Sequence, residues 1–571
     1  MLAESASLQV NTAGFTCSNG RPLWLVAAGW VAIAWQRHFS KLPRKAVVTT
    51  ALPHSEVPHV TIIRPVKGLE PFLYDCLAAS IRQDYPRDKL TVYFCVSSTQ
   101  DPAYPILKRI LRDFPDADAR VFVEPAYKDS ELGPNPKIRN MSQAYWEAKG
   151  DIVWIMDCNI WLGKGACGRM VDRLCGFDKK KNGGRKFKFV HHLPIVVDVL
   201  DHGISQEPGS LAYSHHGATE TIPNDRERRS STIASMLSHG GGRLEELFLA
   251  SSHAKLYSAI NTVLVTPCII GKSSMFRRSH LNYLTTKPPG DPRRVKRRPG
   301  IDYFSDNICE DHLIGERLWR GKVFEEAEQN EKWGKHHLVL GDMAIQPMSG
   351  MSVGSYIERR VRWLRVRKFT VLLATFVEPG TESFLCSAYL AFGLTTSVPF
   401  HFPEYCSYLA SWSACFSIWA ISILVWMVID WTVYLTLHSG ATVEVDEFTP
   451  PFARPLPKTS FARRPFREWL CAWLVREALT WPIWFWSFYG GTTVKWRDKV
   501  FKVGMDMVTY EVGQLAGQVK KIHVKSQSAG QQVHDHYLDG GSSIRRRTPT
   551  GSFVNPAMVT ARVTEAGIEK S

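Results

Sequence analysis

Two carboxylates and an imidazole stand together in the segment NICEDHLIGERLWRGKV, which runs from Asn307 to Val323. Glu310 and Asp311 precede His312, and the apolar residues that follow recur at three- to four-residue intervals. This spacing predicts a helix that opens near Glu310. Carboxylates in the first turn of a helix are stabilised by its unpaired N–H groups and its macrodipole. Taken alone, the pair is therefore explained by helix capping as well as by catalysis.

Other polar residues that could take part in chemistry are spread along the chain. They are Lys67 with Gly68, Asp101, Asp157 in MDCN, and the segment RRVRW from Arg359 to Trp363. Each is a weak signal alone, because acids commonly end strands and an arginine-rich turn before a membrane span usually faces lipid headgroups.

Taken in order, these residues predict the transfer of a sugar from a nucleotide. Asp157 could help to hold a divalent cation across the diphosphate, because hard cations prefer carboxylate and phosphate oxygens. Asp311 could take the proton of the acceptor hydroxyl as a general base. Arg359 and Arg362 could donate to the departing diphosphate as bidentate cations, with Trp363 as an apolar platform.

The elements that must position these residues alternate between strand and helix from about Val60 onwards. VTIIRPVKG, LTVYFCVSS, ARVFVE and DIVWIMD read as strands, with helical segments between them. Near-continuous apolar strands of this kind predict an α/β fold, a parallel sheet covered by helices on both faces. Ligands of such sheets bind at the carboxyl ends of the strands, and Asp157 closes one of them.

Two long uncharged segments follow the predicted sheet, Ser383 to Phe400 and Tyr405 to Ile429, and each is long enough to cross a bilayer. A shorter apolar run, near Leu23 to Trp35, is followed by basic residues and predicts an N-terminal membrane anchor rather than a cleaved signal peptide. The positive-inside rule then places the region between this anchor and Phe369 in the cytosol.

The predicted organisation has five parts. They are a polar leader (1–21), a membrane anchor (22–45), a cytosolic catalytic domain (57–370) with insertions at about 201–242 and 285–300, a membrane region (371–490) and a basic, largely disordered tail (491–571). The insertions and the tail are polar and unsuited to forming a core.

Charge and cysteine content narrow the functional classes. The 571-residue chain carries a net charge of +16, and because it has membrane spans we expect anionic lipid or a phosphorylated small molecule as partner rather than nucleic acid. Its 12 cysteines include no C-x-x-C pair, which is typical of reduced cytosolic thiols rather than of a disulfide framework or a zinc site.

Two further patterns match known motifs in part. GMSVG around Ser352 and HGGG from His239 to Gly242 match the nucleophile elbow and oxyanion loop of serine esterases in the right chain order. HGGG lies in a polar insertion rather than after a strand, so a serine esterase is a minor alternative. IGKSS around Gly271 lacks the first glycine of a phosphate-binding loop, since Thr266 occupies its place.

The whole set, with the segments NPKIRN, VHHLP, EDHLIGERL, RRVRW and AWLVREALTW in sequence, resembles the ceramide glucosyltransferases of glycosyltransferase family 21, and among them the long fungal forms. The similarity runs from about Val57 to Arg497. It implies a GT-A type, Rossmann-like fold and inverting transfer of glucose from UDP-glucose to the primary hydroxyl of ceramide, with Mg²⁺ or Mn²⁺. It also implies a multi-pass protein of the Golgi membrane whose catalytic domain faces the cytosol.

The resemblance assigns roles to particular residues. In the family's D, D, D, (Q/R)xxRW signature, Asp157 matches the second acid, Asp311 the third, and Arg359-x-x-Arg362-Trp363 the last element. Ser98 stands where the first aspartate is expected, which leaves Asp101 as the nearest carboxylate for the nucleotide.

The resemblance further implies that His191, in VHHLP, lies near the donor site, and we expect Lys67, after the first strand, to bind the nucleotide sugar. In AWLVREALTW, Arg476 and Glu477 would be costly in contact with lipid, so we expect them to face the protein interior or the membrane interface. The nearest rival is a processive polysaccharide synthase, which shares the three acids and the RW pair. Such a synthase normally carries Gln where Arg359 stands, and more membrane spans.

Overall fold

The computed structural model describes residues 39–127, 131–177, 184–199, 239–263, 266–286, 297–378, 383–496, 499–505 and 507–512. The predicted leader and N-terminal anchor before Phe39 lie outside these residues, as do most of both predicted insertions and the tail beyond Val512.

The central element is a mixed sheet of seven strands in the order β3-β2-β1-β4-β6-β5-β7. Its strands are β1 (Val60–Val66), β2 (Leu90–Val96), β3 (Ala119–Val123), β4 (Ile152–Met156), β5 (Phe187–Asp198), β6 (Ser273–Arg277) and β7 (Gly334–Met348). The first four strands are mutually parallel, which confirms the prediction for them. β6 runs antiparallel to both of its neighbours, so the sheet is mixed rather than wholly parallel.

Helices cover the sheet and continue beyond it. They are α1 (Val47–Thr50), α2 (Leu73–Ile81), α3 (Tyr104–Asp113), α4 (Pro136–Trp146), α5 (Ala166–Cys175), α6 (Gly241–Ala250), α7 (Ser252–Val263), α8 (Arg278–Thr285), α9 (Glu310–Arg320), α10 (Phe324–Ala327), α11 (Val353–Thr370), α12 (Leu372–Val377), α13 (Ser383–His401), α14 (Pro403–Cys406), α15 (Trp412–Leu437) and α16 (Phe466–Tyr489). The predicted helix at Glu310 is confirmed as α9.

The alternation of side chains along each strand builds an apolar core on both faces of the sheet. On β1, Val60 and Ile62 join the core on one face and Ile63 joins the core on the other. Trp154 and Val153, neighbours on β4, divide between the two faces in the same way. Strands buried on both faces read as continuous apolar runs, which is why they could be recognised in the sequence.

A buried arginine on β1 fixes the chain that leaves β4. The guanidinium of Arg64 is fully buried and donates to the carbonyl oxygens of Cys158 and Ile160, at 2.9 Å each. Burial lowers the pKa of Arg64 to about 10, so the group still carries its charge at neutral pH. The turn that begins at Asp157 is therefore held by hydrogen bonds from the neighbouring strand.

Two helices of the described chain, α13 and α15, are long and apolar enough to cross a membrane. α13 matches the first predicted span. The predicted start of the second span at Tyr405 was too early, because Pro403–Cys406 forms the separate short helix α14 and α15 begins only at Trp412. On α16, Arg476 and Glu477 are buried in the protein, as predicted.

Ordered structure extends past the predicted boundary of the tail at residue 491. β8 (Thr493–Trp496), β9 (Lys499–Val503) and β10 (Thr509–Glu511) form an antiparallel sheet. Val494, Phe501 and Val503 supply its buried side, but the lysines between them gave this segment a tail-like composition. Beyond Val512 the prediction of a tail stays a prediction.

The buried ion pair between α5 and β7 generates a test of stability. Arg169 donates from Nε and Nη2 to the two carboxylate oxygens of Asp342, at 2.6 and 2.7 Å. We expect Arg169→Met to destabilise the protein by about 3–5 kcal/mol, because Asp342 would stay buried without its partner. The double variant Arg169→Met/Asp342→Leu should regain much of the loss. Thermal unfolding in detergent measures both.

Arg320→Met is the matched control, since it breaks an exposed pair with Glu316 that should contribute under about 1 kcal/mol. Equal losses in the Arg169 and Arg320 variants would contradict the assignment.

Candidate active site

The start of α9 brings the two predicted acids together but gives them different surroundings. Asp311 is partly exposed, and its carboxylate accepts hydrogen bonds from the backbone N–H groups of Gly271 at 2.5 Å and His312 at 2.9 Å. Glu310 is buried, and burial raises its pKa, with Asp311 adding to the rise while Lys137 opposes it. Asp311 therefore keeps lone pairs for a reactant, whereas Glu310 is enclosed by protein.

Only a glycine permits the close approach of the loop before β6 to Asp311. A methyl group added at Gly271 would lie 2.6 Å from Asp311 Oδ2 and 2.8 Å from its Cβ. The same loop reaches Asp157, because the backbone N–H of Asp157 donates to the carbonyl oxygen of Lys272. Residues 271 and 272 thus join the end of β4 to the start of α9.

Two lysines hold the carboxylate of Asp157. Lys137 Nζ lies 3.0 Å from Oδ1 and Lys272 Nζ lies 3.0 Å from Oδ2. Burial alone would raise the pKa of Asp157, but the two ammonium groups hold this pKa well below its usual range. Asp157 is therefore ionised, and it concentrates two positive charges at the carboxyl end of β4.

Lys137 also lies 3.3 Å from Glu310 Oε1, so a single ammonium group bridges both acids. Asn135 caps α4, since its side chain accepts from the N–H of Lys137, and its Nδ2 donates to Glu310 Oε2 at 2.9 Å. Burial lowers the pKa of Lys137, but the carboxylates of Asp157 and Glu310 more than reverse this effect and raise it above the ordinary value.

Sequence reasoning assigned no role to either lysine. The signal for Lys137 was its place in NPKIRN, a segment that contributed only to the resemblance. Lys272 stands in IGKSS, which was set aside because it fails as a phosphate-binding loop. The lysine still faces Asp157, although the loop around it has a different form.

These residues do not fit a resident metal ion. Among the described residues, no group of three or more His, Cys, Asp and Glu side chains could hold one. Both oxygens of Asp157 lie against ammonium groups, and a cation there would have to displace at least one of them.

Asp101 joins the loops that follow β1 and β2. Its carboxylate accepts from the N–H of Gly68 at 2.9 Å and from the N–H of Ala103 at 2.9 Å. Lys67 is half-buried beside this contact, at the end of β1. The structure thus places Asp101 and Lys67 at the expected edge of the sheet, with Asp101 bonded to backbone.

His191 lies within β5 and is fully buried. Its Nδ1 is 2.5 Å from the hydroxyl of Tyr257 on α7, and its ring contacts that of His336. Burial holds the pKa of His191 well below its ordinary value, so the ring is neutral. The ring therefore contacts Tyr257, His336 and Phe189 rather than the acids of the site.

The RRVRW segment lies on α11, where a buried carboxylate holds its first arginine. Arg359 Nε donates to Oε1 of Glu245 at 2.8 Å, and the guanidinium lies 4.7 Å from the ring centre of Trp363. Glu245 is fully buried on α6, and its role was not predicted from the sequence. Arg362 and Trp363 are half-buried on the same helix.

Ser352, the candidate esterase nucleophile, caps the N-terminus of α11. Its hydroxyl accepts from the N–H of Ser355 at 3.0 Å and lies 2.9 Å from that residue's hydroxyl. The carbonyl of Ser352 closely approaches Gly241 of the HGGG segment. These contacts account for both motifs as parts of a helix junction.

The chain matches the family model for glycosyl transferase family 21 over residues 23–198 and 231–508. Ceramide glucosyltransferases of Gibberella zeae and Pyricularia oryzae are 46% and 48% identical to the chain, over 84% and 83% of it and 90% of each relative. That of Candida albicans is 32% identical over 79% of the chain and 88% of its own length.

A search of solved structures finds a mannosyltransferase of Pyrobaculum calidifontis in complex with GDP-Man and Mn²⁺. It is 16% identical, with a TM-score of 0.36, over 74% of this chain and 96% of its own.

The ammonium group shared by Asp157 and Glu310 generates a test that needs no substrate. Lys137→Met leaves the buried carboxylate of Glu310 and the half-buried one of Asp157 without their common cation, so we expect a loss of about 3 kcal/mol or more at pH 8. The pKa of Glu310, which burial already raises, would then rise further above its unfolded value, while Asp157 keeps Lys272. Stability gained by protonation is lost as pH rises, so the deficit should shrink towards pH 5.

Melting temperatures at pH 5 and pH 8 measure this dependence. Lys149→Met, which breaks an exposed pair with Asp118, is the control and should show little effect. A deficit of equal size at both pH values in the Lys137 variant would contradict the proposed bridge.

Proposed function

The chain belongs to glycosyltransferase family 21, and we propose that it transfers glucose from UDP-glucose to the primary hydroxyl of ceramide. It is a hexosyltransferase that makes glucosylceramide. The observation that carries the mechanism is the placement of Asp311, which is held by two backbone N–H groups beside the cluster of Lys137, Asp157 and Lys272.

In this mechanism Asp311 is the general base. Its carboxylate takes the proton of the ceramide hydroxyl as the oxygen attacks the anomeric carbon from the face opposite UDP. The new C–O bond forms as the bond to the diphosphate breaks, which inverts the configuration and releases UDP. Glu310 supports the charge and position of this site and takes no part in proton transfer, because it is enclosed by Asn135 and Lys137.

Positive charge from the protein stabilises the departing diphosphate. Lys137 and Lys272 lie together at the carboxyl end of β4, where ligands of such sheets bind. In our proposal they turn from Asp157 towards the phosphate oxygens as negative charge develops, and Arg359 and Arg362 add further positive charge. Trp363 supplies the apolar platform against which Arg359 is already packed.

A divalent cation, Mg²⁺ or Mn²⁺, would enter with the diphosphate of the donor. Asp157 would hold this ion only after a lysine has turned away from its carboxylate, and the ion would neutralise charge on the diphosphate. Lys67 and Asp101 complete the proposed donor site, where Asp101 fixes the loop at Gly68, and His191 acts on this site only indirectly, by supporting the sheet from its core.

Ceramide is a bilayer lipid, so the acceptor must reach Asp311 from the membrane. Among the described residues, two helices are candidates to span a membrane, α13 and α15. We propose that the catalytic domain faces the cytosol at the Golgi membrane, that α13 and α15 cross the bilayer, and that the ceramide tails stay in an apolar environment during transfer.

Product analysis tests the function and the base together. Purified protein with labelled UDP-glucose and ceramide should yield a single-sugar lipid, which mass spectrometry identifies. We expect Asp311→Asn to lower kcat by about 10³-fold or more, in the range of a lost general base. Ser352→Ala should stay within about twofold of the parent, because its hydroxyl caps a helix.

A wild-type rate in Asp311→Asn would refute the base assignment. A sugar polymer as product would favour the synthase alternative, and loss of ester hydrolysis in Ser352→Ala alone would favour the esterase.

Chelation tests the role of the cation. We expect EDTA to raise the KM for UDP-glucose about tenfold, because the diphosphate would bind without its counter-ion, while activity at saturating donor falls less. Lys137 and Lys272 would supply the remaining positive charge. Added Mg²⁺ or Mn²⁺ should restore the KM. Complete loss of activity at saturating donor would contradict the proposal that the cation and the two lysines share the neutralisation of the diphosphate.

A further inference from the structure

The small sheet that follows α16 contacts the chain immediately before the active-site acids. The backbone N–H of Thr509, on β10, donates to the carbonyl oxygen of Asp306 at 2.8 Å. Asn307 Nδ2 donates to the carbonyl oxygen of Met507 at 2.9 Å. Two hydrogen bonds therefore connect the sheet to the segment that leads into α9.

An apolar cluster adds to these bonds. Phe501 is fully buried on β9 and shares this cluster with Val494, Val503 and Val366 of α11. Ile308 and Cys309 pack against the same cluster. The sheet thus closes over the two residues that precede Glu310.

The hydrogen bonds continue from Asn307 into the site. The carbonyl oxygen of Asn307 accepts from Asn135 Nδ2 at 2.5 Å, and the same Nδ2 donates to Glu310. Glu310 in turn lies 3.3 Å from Lys137, the lysine that holds Asp157. A continuous series of contacts therefore runs from β10 to the charged cluster.

The helix that carries RRVRW anchors the other end of the sheet. Arg365 Nη1 donates to the carbonyl oxygen of Thr493 at 2.8 Å, and Lys368 Nζ donates to that of Gly491 at 2.9 Å. The sheet thus lies between α11 and the start of α9, the two elements that supply the arginines and the base.

The start of α9 needs such outside support. Within the described chain, the side chain of its N-cap residue, Cys309, makes no capping hydrogen bond. A helix end without a cap frays easily, and Asp311 stands in its first turn.

We propose that the C-terminal sheet is a positioning element of the catalytic site, in which Phe501 and Asn307 fix the start of α9 and hence the carboxylate of Asp311. The inference rests on the proposed role of Asp311 as base. A base displaced by about 1 Å can lose up to 10²-fold in rate, so small changes in this packing should be visible in kcat.

The test compares two neighbours on β9 in the full-length protein. Phe501 is buried and Val500 is 45% exposed. We expect Phe501→Ala to lower kcat about tenfold or more, with the KM for UDP-glucose changed less than about threefold. Phe501→Leu should restore most of the rate, and Val500→Ala should stay within about twofold.

Alkylation of Cys309 provides a readout that does not depend on the reaction. Burial raises the pKa of this thiol well above its ordinary value, so it should react slowly with a maleimide. Site-resolved mass spectrometry should show faster labelling of Cys309 in Phe501→Ala than in Val500→Ala. This readout stays valid if the proposed transferase activity is wrong.

An unchanged kcat in Phe501→Ala together with faster labelling would overturn the proposal, because the sheet would then pack against α9 without influencing the base. If Phe501→Ala cannot be purified folded, Asn307→Ala takes its place, since it removes only the bond to Met507. An unchanged kcat in that variant would overturn the proposal equally.

Discussion

The active site depends on one buried ammonium group, that of Lys137. It lies 3.0 Å from Asp157 and 3.3 Å from Glu310, two carboxylates separated by much of the domain's sequence. Buried carboxylates so close to one another repel strongly unless a cation lies between them. Lys137 is therefore the point at which three elements meet: the end of β4, the first turn of α4 and the start of α9.

This arrangement also explains why neighbouring acids have different roles. Both carboxylate oxygens of Glu310 are engaged inside the protein, one by Asn135 and the other by Lys137. Asp311 accepts hydrogen bonds from backbone N–H groups and stays partly exposed, so a substrate can reach its carboxylate. Two adjacent carboxylates are thus divided, by environment alone, into a structural acid and a candidate base.

The elements that carry the site were predicted from the spacing of apolar residues. When one face of a helix or strand is buried, apolar residues recur along the sequence at regular intervals. The four parallel strands, α4 and α9 were predicted in this way, and Asp157 and Asp311 stand where the strand and helix ends placed them. Pairs of oppositely charged side chains leave no such regular pattern in the sequence. Lys272 and Glu245 meet their carboxylate or arginine partners only through the folded chain, across more than a hundred residues, and so does Lys137 with Glu310.

The candidate membrane helix α15 is joined to the rest of the described chain by charges as well as by apolar contact. Asp430 of α15 is fully buried, pairs with Lys255 of α7 and accepts a hydrogen bond from Trp473 of α16 at 2.8 Å. Apolar packing alone does not strongly favour one rotational orientation of a helix in lipid. A buried ion pair does, because it requires two particular side chains to face each other. α7 also carries Tyr257, the partner of His191 on β5, so one helix contacts both α15 and the central sheet. The ion pair of Asp430 thus links a candidate membrane helix to the sheet through a single intermediate element.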